Sequence, residues 1–169
     1  MSLDAVSAEN FREAWSCFCT GVTVITTPEL SDDGSTDGEV HGMTANGVVS
    51  VSLEPPLALV SIGHNRNSYP LVRKNRRFAI SILNTEQQAI ARHFTKPPEE
   101  RDPEHSISLI KLGDSKVIDG AIAAMDCSVV SEHEEGDHTL FVARVEHVRL
   151  NEGEPMLWYR GIFGKFSAE

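Results

Sequence analysis

Hydrophobic positions along this chain come mostly in short runs of period two, and only a few stretches carry the longer period of a helix. In "SAENFREAWSCFCTG" Phe11, Trp15 and Phe18 share one face, Glu9 sits in the first turn, Ser7 can cap, and Gly21 follows as a stop. "SYPLVRKN" predicts a short helix with Ser68 at its cap and Pro70 tolerated in the first turn. "TEQQAIARHF" (85–94) predicts another, capped by Thr85, with Ala89, Ile90 and Phe94 apolar. The β-branched "VTVITT" (22–27) reads as a strand, as do 40–45, 48–53 and 57–62. "RFAISIL" (77–83) alternates Phe78, Ile80 and Ile82 toward one face, a half-buried strand. Two further strands, near 122–131 and 139–149, flank "EHEEGDH" as a hairpin, and one near 156–163 closes the chain.

Two segments between these elements are exposed connections. "PELSDDGSTDGEV" is acidic, contains Gly and can bury nothing; "TKPPEERDPEHS" (95–106) is Pro-rich and charged, a loop or flap. Roughly six to eight strands, about three helices and no βαβ rhythm predict a mainly β fold, an antiparallel barrel with flanking helices. The length of 169 residues suits one domain, 1–169.

Composition narrows the partners. A 40% hydrophobic and 24% charged chain is an ordinary globular protein. Its net charge of −10 disfavours nucleic acid or an anionic membrane as a partner for the whole surface, while leaving room for one local anion pocket. Cys17, Cys19 and Cys127 form no CxxC pair and read as reduced thiols. No apolar run approaches the ~18 residues of a membrane helix, and no secretory pattern opens the chain, so a cytoplasmic location is expected.

Familiar catalytic signatures are missing: no GxGxxG follows a strand, and GxSxG and HExxH do not occur. "GIFGK" (161–165) has the wrong spacing for a P-loop. His133, Asp137 and His138 of "HEEGDH" bracket a turn between strands, which fits a solvated hairpin tip better than a metal site, so no metal is expected. The informative stretch is "GMTANGVVSVSLEPPLALVSI" (42–62), two apolar strands hinged on Glu-Pro-Pro and preceded by small and amide side chains. Thr44-Ala45-Asn46-Gly47 has two readings. As Asn-Gly between strands it is a hairpin turn. As bare backbone with one amide arm it is a cradle for a flat heterocycle with an acceptor–donor–acceptor edge, such as a flavin. Ser61, Asn67 and Ser68, beyond the next strand and beside a helix start, suit a phosphate.

The ordered blocks "FCTGVTVITT", "GMTANGVVSVSLEPPLALVSI", "SYPLV..N.RFAISIL", "ARHF" and "GDHTLFVARV" resemble the flavin reductase-like family, the short-chain FMN-binding split-barrel reductases of two-component monooxygenases. The resemblance runs from about Phe11 to the final strand. It implies a homodimer that binds FMN or FAD, reduces it with NADH or NADPH, and hands reduced flavin to a partner oxygenase. By matching motif, Met43, Thr44, Ala45, Asn46 and Gly47 would contact the ring, and Ser61, Ile62, Gly63, Asn67 and Ser68 the ribityl-phosphate end. Arg92 and His93 would form a patch near the phosphate or adenylate. His138 would sit beside the flavin and position nicotinamide, near Tyr159, Arg160 and Gly161. The chain departs from the family pattern at Gly47-Val48, where Ser or Ala followed by Phe is common, and in 95–118, which lacks the usual aromatics. Pyridoxamine phosphate oxidase-type split barrels are also similar, which keeps open a non-catalytic flavin- or haem-binding protein; a plain interaction module is a third reading.

Overall fold

A computed structural model describes residues 6–29, 40–104 and 106–167. Most of the acidic connection after Pro28 therefore lies outside the described residues. Ser7 caps the first helix: its hydroxyl accepts the Asn10 N–H at 3.1 Å, and Asn10 Oδ1 accepts the Ser7 N–H at 2.7 Å. The helix, α1, covers only Ala8–Ser16, and Thr20–Gly21, expected to end it, form a short strand β1. There follow β2 (Thr23–Pro28), β3 (Val40–Ala45), β4 (Val48–Leu53), β5 (Pro56–Gly63), α2 (Ser68–Asn75) and β6 (Arg77–Ile82). A 3₁₀ turn, Thr85–Gln87, leads into α3 (Gln88–Thr95), and a second, Pro98–Glu100, lies in the charged segment. The chain continues through β7 (Leu109–Leu112), β8 (Ser115–Ile118), β9 (Ala123–Glu135), β10 (His138–Leu150), β11 (Met156–Tyr159) and β12 (Ile162–Lys165).

Seven strands form one antiparallel sheet in the order β3-β2-β6-β9-β10-β5-β4. The two outermost strands are consecutive in sequence and joined by Asn46-Gly47 alone. Three Cα–Cα steps reach only about 11 Å, so the sheet must curl until its edges nearly meet, a barrel split along one seam. Gly47 C=O accepts the Ser61 N–H at 2.9 Å, which extends the β4–β5 ladder by one step toward the seam. Asn46-Gly47 is therefore not a hairpin tip. The strand before it pairs with β2 and the strand after it with β5.

β2 explains its own unbroken β-branched sequence, because it is buried on both faces. Ile25 joins Val60, Ile62, Phe78 and Phe141 inside the barrel, where Val72 of α2 plugs one end. Val24 points the other way, to Leu83, Ala91 and Phe94 under α3 and to Met156 of β11. Cys127 lies in the barrel core, where burial pushes its thiol up to about 12; Cys17 and Cys19 are exposed.

Several boundaries differ from the sequence pattern. The run 156–163 is two strands, because Arg160 (φ 47°) and Gly161 (φ 83°) turn the chain back as a hairpin. The 109–118 region, unassigned by pattern, is the β7–β8 hairpin, turning at Gly113 (φ 57°), where a Cβ would lie 2.3 Å from Asp126 Oδ2. These two hairpins and β1 raise the strand count above the expected six to eight. Asn84, not Thr85, caps the segment before α3, accepting the Glu86 N–H at 2.8 Å. The apolar face of α1 is left uncovered: Phe11, Trp15 and Phe18 are 62–63% exposed. No helix among the described residues is long and apolar enough to cross a membrane.

Candidate active site

The seam opens into a cleft of ≈ 450 Å³ that runs along the edge strand β3. One wall is the end of β5, the 63–68 turn and the start of α2. The other is the end of α3 with the 95–101 segment, and His138 at the start of β10 completes it. Among the described residues that line it none is Asp or Glu, in a chain that carries 25 of them. Arg66, Lys96 and Arg101 all line it.

Hydrogen bonds hold the seam in place. Thr23 Oγ1 donates to Ala45 O at 2.7 Å, Thr44 Oγ1 donates to Ala91 O of α3 at 2.7 Å, and Asn46 Nδ2 donates to Thr20 Oγ1 at 3.3 Å. The Thr44 hydroxyl is thus taken up in fixing β3 to α3. A Cβ added at Gly47 would meet Ser61 Cβ at 3.5 Å, ordinary contact, so packing within the chain does not require glycine there. At Gly42 it does: an added Cβ would fall 2.3 Å from the Phe94 ring. Phe94 consequently packs directly against β3 as part of the cleft wall.

At the start of α2, Ser68 is not the cap. Asn67 holds that position and makes no side-chain capping bond. Ser68 is 2% exposed, and its Oγ is a buried polar atom with no hydrogen-bond partner. Leaving a hydroxyl so costs about 1–3 kcal/mol. A helix start with a partnerless hydroxyl and Arg66 on the same turn suits an anion, since the first N–H groups of a helix point outward with a positive dipole end.

His138 begins β10 opposite Gly63. Its Nδ1 lies 2.6 Å from Asp137 Oδ1, and this hydrogen bond holds the Asp137 carboxyl below its usual range. A carboxylate only accepts, so Nδ1 carries the proton, and Nε2 is left beside Gly63, where an added Cβ would come within 3.4 Å of it. His41, 4% exposed at the other end of β3, has its pKa lowered first by burial and then by the nearby Arg101 charge. The fixed cation at that end is Arg101.

Of the residues expected from sequence, Met43, Thr44, Ala45, Asn46, Gly47, Ser61, Gly63, Asn67, Ser68 and His138 converge on this cleft. Ile62 turns its side chain into the barrel core. Arg92 lies over the Phe163 ring at 5.0 Å, facing the C-terminal hairpin, and His93 packs edge-on against Phe94. Tyr159, Arg160 and Gly161 form the β11–β12 turn, where the Arg160 guanidinium donates to Cys17 Sγ at 3.2 Å. One chain alone does not bring these last five residues to the cleft. Sequence reasoning passed over His41, Asn65, Arg66, Phe94, Lys96 and Arg101. Asn65 and Arg66 stand between Gly63 and Asn67 and could have been read with them; Arg101, inside a charged loop, carried no such signal.

A cleft on the seam of a split antiparallel barrel, lined among the described residues by three cations and no carboxylate, has the chemistry to accept an anionic small molecule. A family model for the flavin reductase like domain matches residues 15–167, and the chain belongs to that family. It is 38% identical to an NADH-dependent flavin reductase from a Rhodococcus species, over 94% of this chain and 86% of that protein. It is 34% identical to an FMN reductase (NADH) from Agrobacterium fabrum, over 96% and 88%. Among solved structures, an NADH:FAD oxidoreductase from Streptomyces globisporus, in complex with NAD and FAD fragments, is 30% identical with a TM-score of 0.83, covering 98% of each chain.

Proposed function

We propose that this chain is an NAD(P)H:flavin oxidoreductase that reduces FMN or FAD with NADH or NADPH and supplies reduced flavin to a monooxygenase component. The observation that carries this reading is the buried, partnerless Ser68 hydroxyl at the uncapped start of α2, in a cleft free of acidic residues. Relatives named as the reductase components of 4-nitrophenol and trigonelline monooxygenases support the oxygenase partner.

In this reading Met43 to Gly47 hold the ring by backbone and the Asn46 amide, while Arg66, Asn67 and Ser68 receive the phosphate. A bound flavin supplies the hydride acceptor. The chain's part is to stack nicotinamide against it and to set amide dipoles toward the ring edge that gains negative charge, so no side chain need titrate. His138, oriented by Asp137, positions the nicotinamide.

The uncovered apolar surface supports a homodimer. The α1 face adjoins an apolar groove of ≈ 660 Å³ lined by Trp15, Phe18, Val49, Leu53 and Met125, and Asn46 and Gly47 border both groove and cleft. Patches of that kind on a soluble protein mark an interface, and a second copy seated there would close over the seam. Light scattering at micromolar concentration should give twice the 18.6 kDa chain mass; a fully active monomer would refute the dimer. Exposed Cys17 and Cys19 suit a reducing cytoplasm.

The test of function is anaerobic titration of the chain and flavin with NADH. Loss of the flavin's visible absorbance in step with NADH oxidation is expected. Binding without bleaching would leave a flavin carrier, and no binding of either flavin would refute the reading.

A further inference from the structure

The cations of the cleft stand in two groups, on opposite sides of the β3 edge. Met43 and Ala45 pack against the barrel-core cluster that contains Val72 of α2, the helix whose start carries Ser68. The intervening residues face the other way: Gly42 meets Phe94, and Thr44 bonds Ala91 of α3. Arg101 belongs to this second side. Its Nη2 donates to Gly42 O at 2.8 Å, its Nε donates to Lys96 O at 3.0 Å, and its guanidinium stacks over the Phe94 ring at 5.1 Å.

Three features mark that group as built for a ligand. The fork is fixed by two carbonyls and a ring, which leaves Nη1 and one Nη2 proton uncommitted. Among the described residues no carboxylate lies within 4.0 Å of Arg66, Lys96 or Arg101, whereas Arg73, Arg76 and Arg77 each have one. Burial lowers the Arg101 pKa, and the more distant Glu29 and Glu99 offset that only in part. The α2 end offers Ser68 and Arg66 to one phosphate, and the Arg101 fork is tethered instead to Gly42 O and the Phe94 ring on the α3 side of β3.

We infer that Lys96 and Arg101 form a second anion subsite, which takes the phosphate of a dinucleotide while the α2 end holds the flavin's first phosphate. The subsite rests on the flavin-reductase reading and makes the 95–101 segment a specificity element for dinucleotides. The shared chemistry, a pyrophosphate, has two sources in this reaction: FAD, in preference to FMN, or the nicotinamide dinucleotide.

The experiment measures dissociation constants of FMN and FAD by flavin fluorescence, and the KM for NADH, in the full chain and in Arg101→Gln, Arg101→Lys and Lys96→Ala. Lys96 is exposed, so its variant keeps the test informative if the Arg101 variants fold poorly. Loss of one charge-assisted hydrogen-bond pair is worth about tenfold. For FAD, the ratio of FAD to FMN affinity falls by about that factor in Arg101→Gln and partly recovers in Arg101→Lys. For the nicotinamide dinucleotide, the NADH KM rises by about that factor with both flavin affinities unmoved. Either result supports the subsite and names its source. Equal losses of FMN and FAD, or no change in all three constants, overturn it and leave the reductase standing. A wild-type chain that binds neither flavin removes both.

Discussion

Asp126 and the cleft are opposite solutions to placing polar groups against the same barrel. Asp126, on β9, is 0% exposed and fully served: Ser115 Oγ donates at 2.6 Å, Arg77 Nη1 at 2.7 Å, and the Asp114 N–H at 3.2 Å, while His147 Nδ1 also lies 3.2 Å away. Burial works to raise its pKa, yet the bonds from Ser115, Arg77, Asp114 and His147 together hold it below the usual value. In the cleft the balance is reversed. Ser68 is buried without a partner, and among the described residues no carboxylate lies within 4.0 Å of Arg66, Lys96 or Arg101. The first cluster clamps the β7–β8 hairpin to the barrel, and every bond it can make is made. The second holds its bonds in reserve for something the chain does not contain. Completed polar networks point to stability and incomplete ones to binding.

The largest effect that could break this contrast is on the Asp126 side. Asp126→Ala opens a buried void, takes the acceptor from Ser115 and the Asp114 N–H, leaves Arg77 with only the exposed Asp114, and should cost about 2–4 kcal/mol in denaturant unfolding. Flavin affinity of the folded fraction should be unaffected; a matching loss of affinity would mean that the two regions are not separate. The pH dependence follows from the depressed carboxyl. Its contribution is complete above the unfolded value near 3.9 and disappears as pH falls through the lower folded value. Acid unfolding should therefore begin below about pH 4 in the native chain, and Asp126→Asn should flatten that limb of the profile.

Next come the seam residues, where binding should move and stability should not. Gly47→Val fits the chain, since a Cβ there makes ordinary contact with Ser61, but it fills the open side. Asn46→Leu gives up only an exposed bond to Thr20. Each should weaken flavin binding by about ten- to a hundredfold, the equivalent of about 1–3 kcal/mol. Melting curves recorded beside the titrations decide the matter: a large drop in melting temperature with native affinity would mean that the seam is structural.

The contrast also separates what the sequence made legible from what it hid. Strands 40–45, 48–53 and 57–62 were readable because alternation and the Glu-Pro-Pro corner are local signals. That 40–45 and 48–53 do not pair was not readable, because Asn-Gly is the usual hairpin dipeptide and only the long-range order of seven strands overrules it. "LIKLGDSKVI" carried a Gly-Asp turn signal that went unused. Ser68 reads as a cap from its type; that its hydroxyl is buried without a partner depends on the tertiary packing around α2, which no local window contains. Arg101 looked like one more charge in a solvated loop, and only tertiary contact with Gly42 and Phe94 changes its meaning.

The smallest predicted effect is the sharpest comparison, because it makes the same substitution in both regions. Ser115→Ala removes a 2.6 Å hydrogen bond from a buried carboxylate and should destabilise by about 1.5–3 kcal/mol. Ser68→Ala removes a hydroxyl that has no partner in the free chain. Its unfolding free energy should hold or rise, by up to about 1 kcal/mol, since an unsatisfied polar atom leaves the interior. The loss should appear instead in ligand binding: about tenfold for FMN, which brings a phosphate to the start of α2, and none for riboflavin, which has no phosphate to bring. If Ser68→Ala destabilises the free chain as much as Ser115→Ala does, its hydroxyl has a structural partner and the reserve of unmade bonds is not there. If FMN and riboflavin weaken together, the start of α2 holds the ring rather than the phosphate, and the cleft is threaded in the opposite direction.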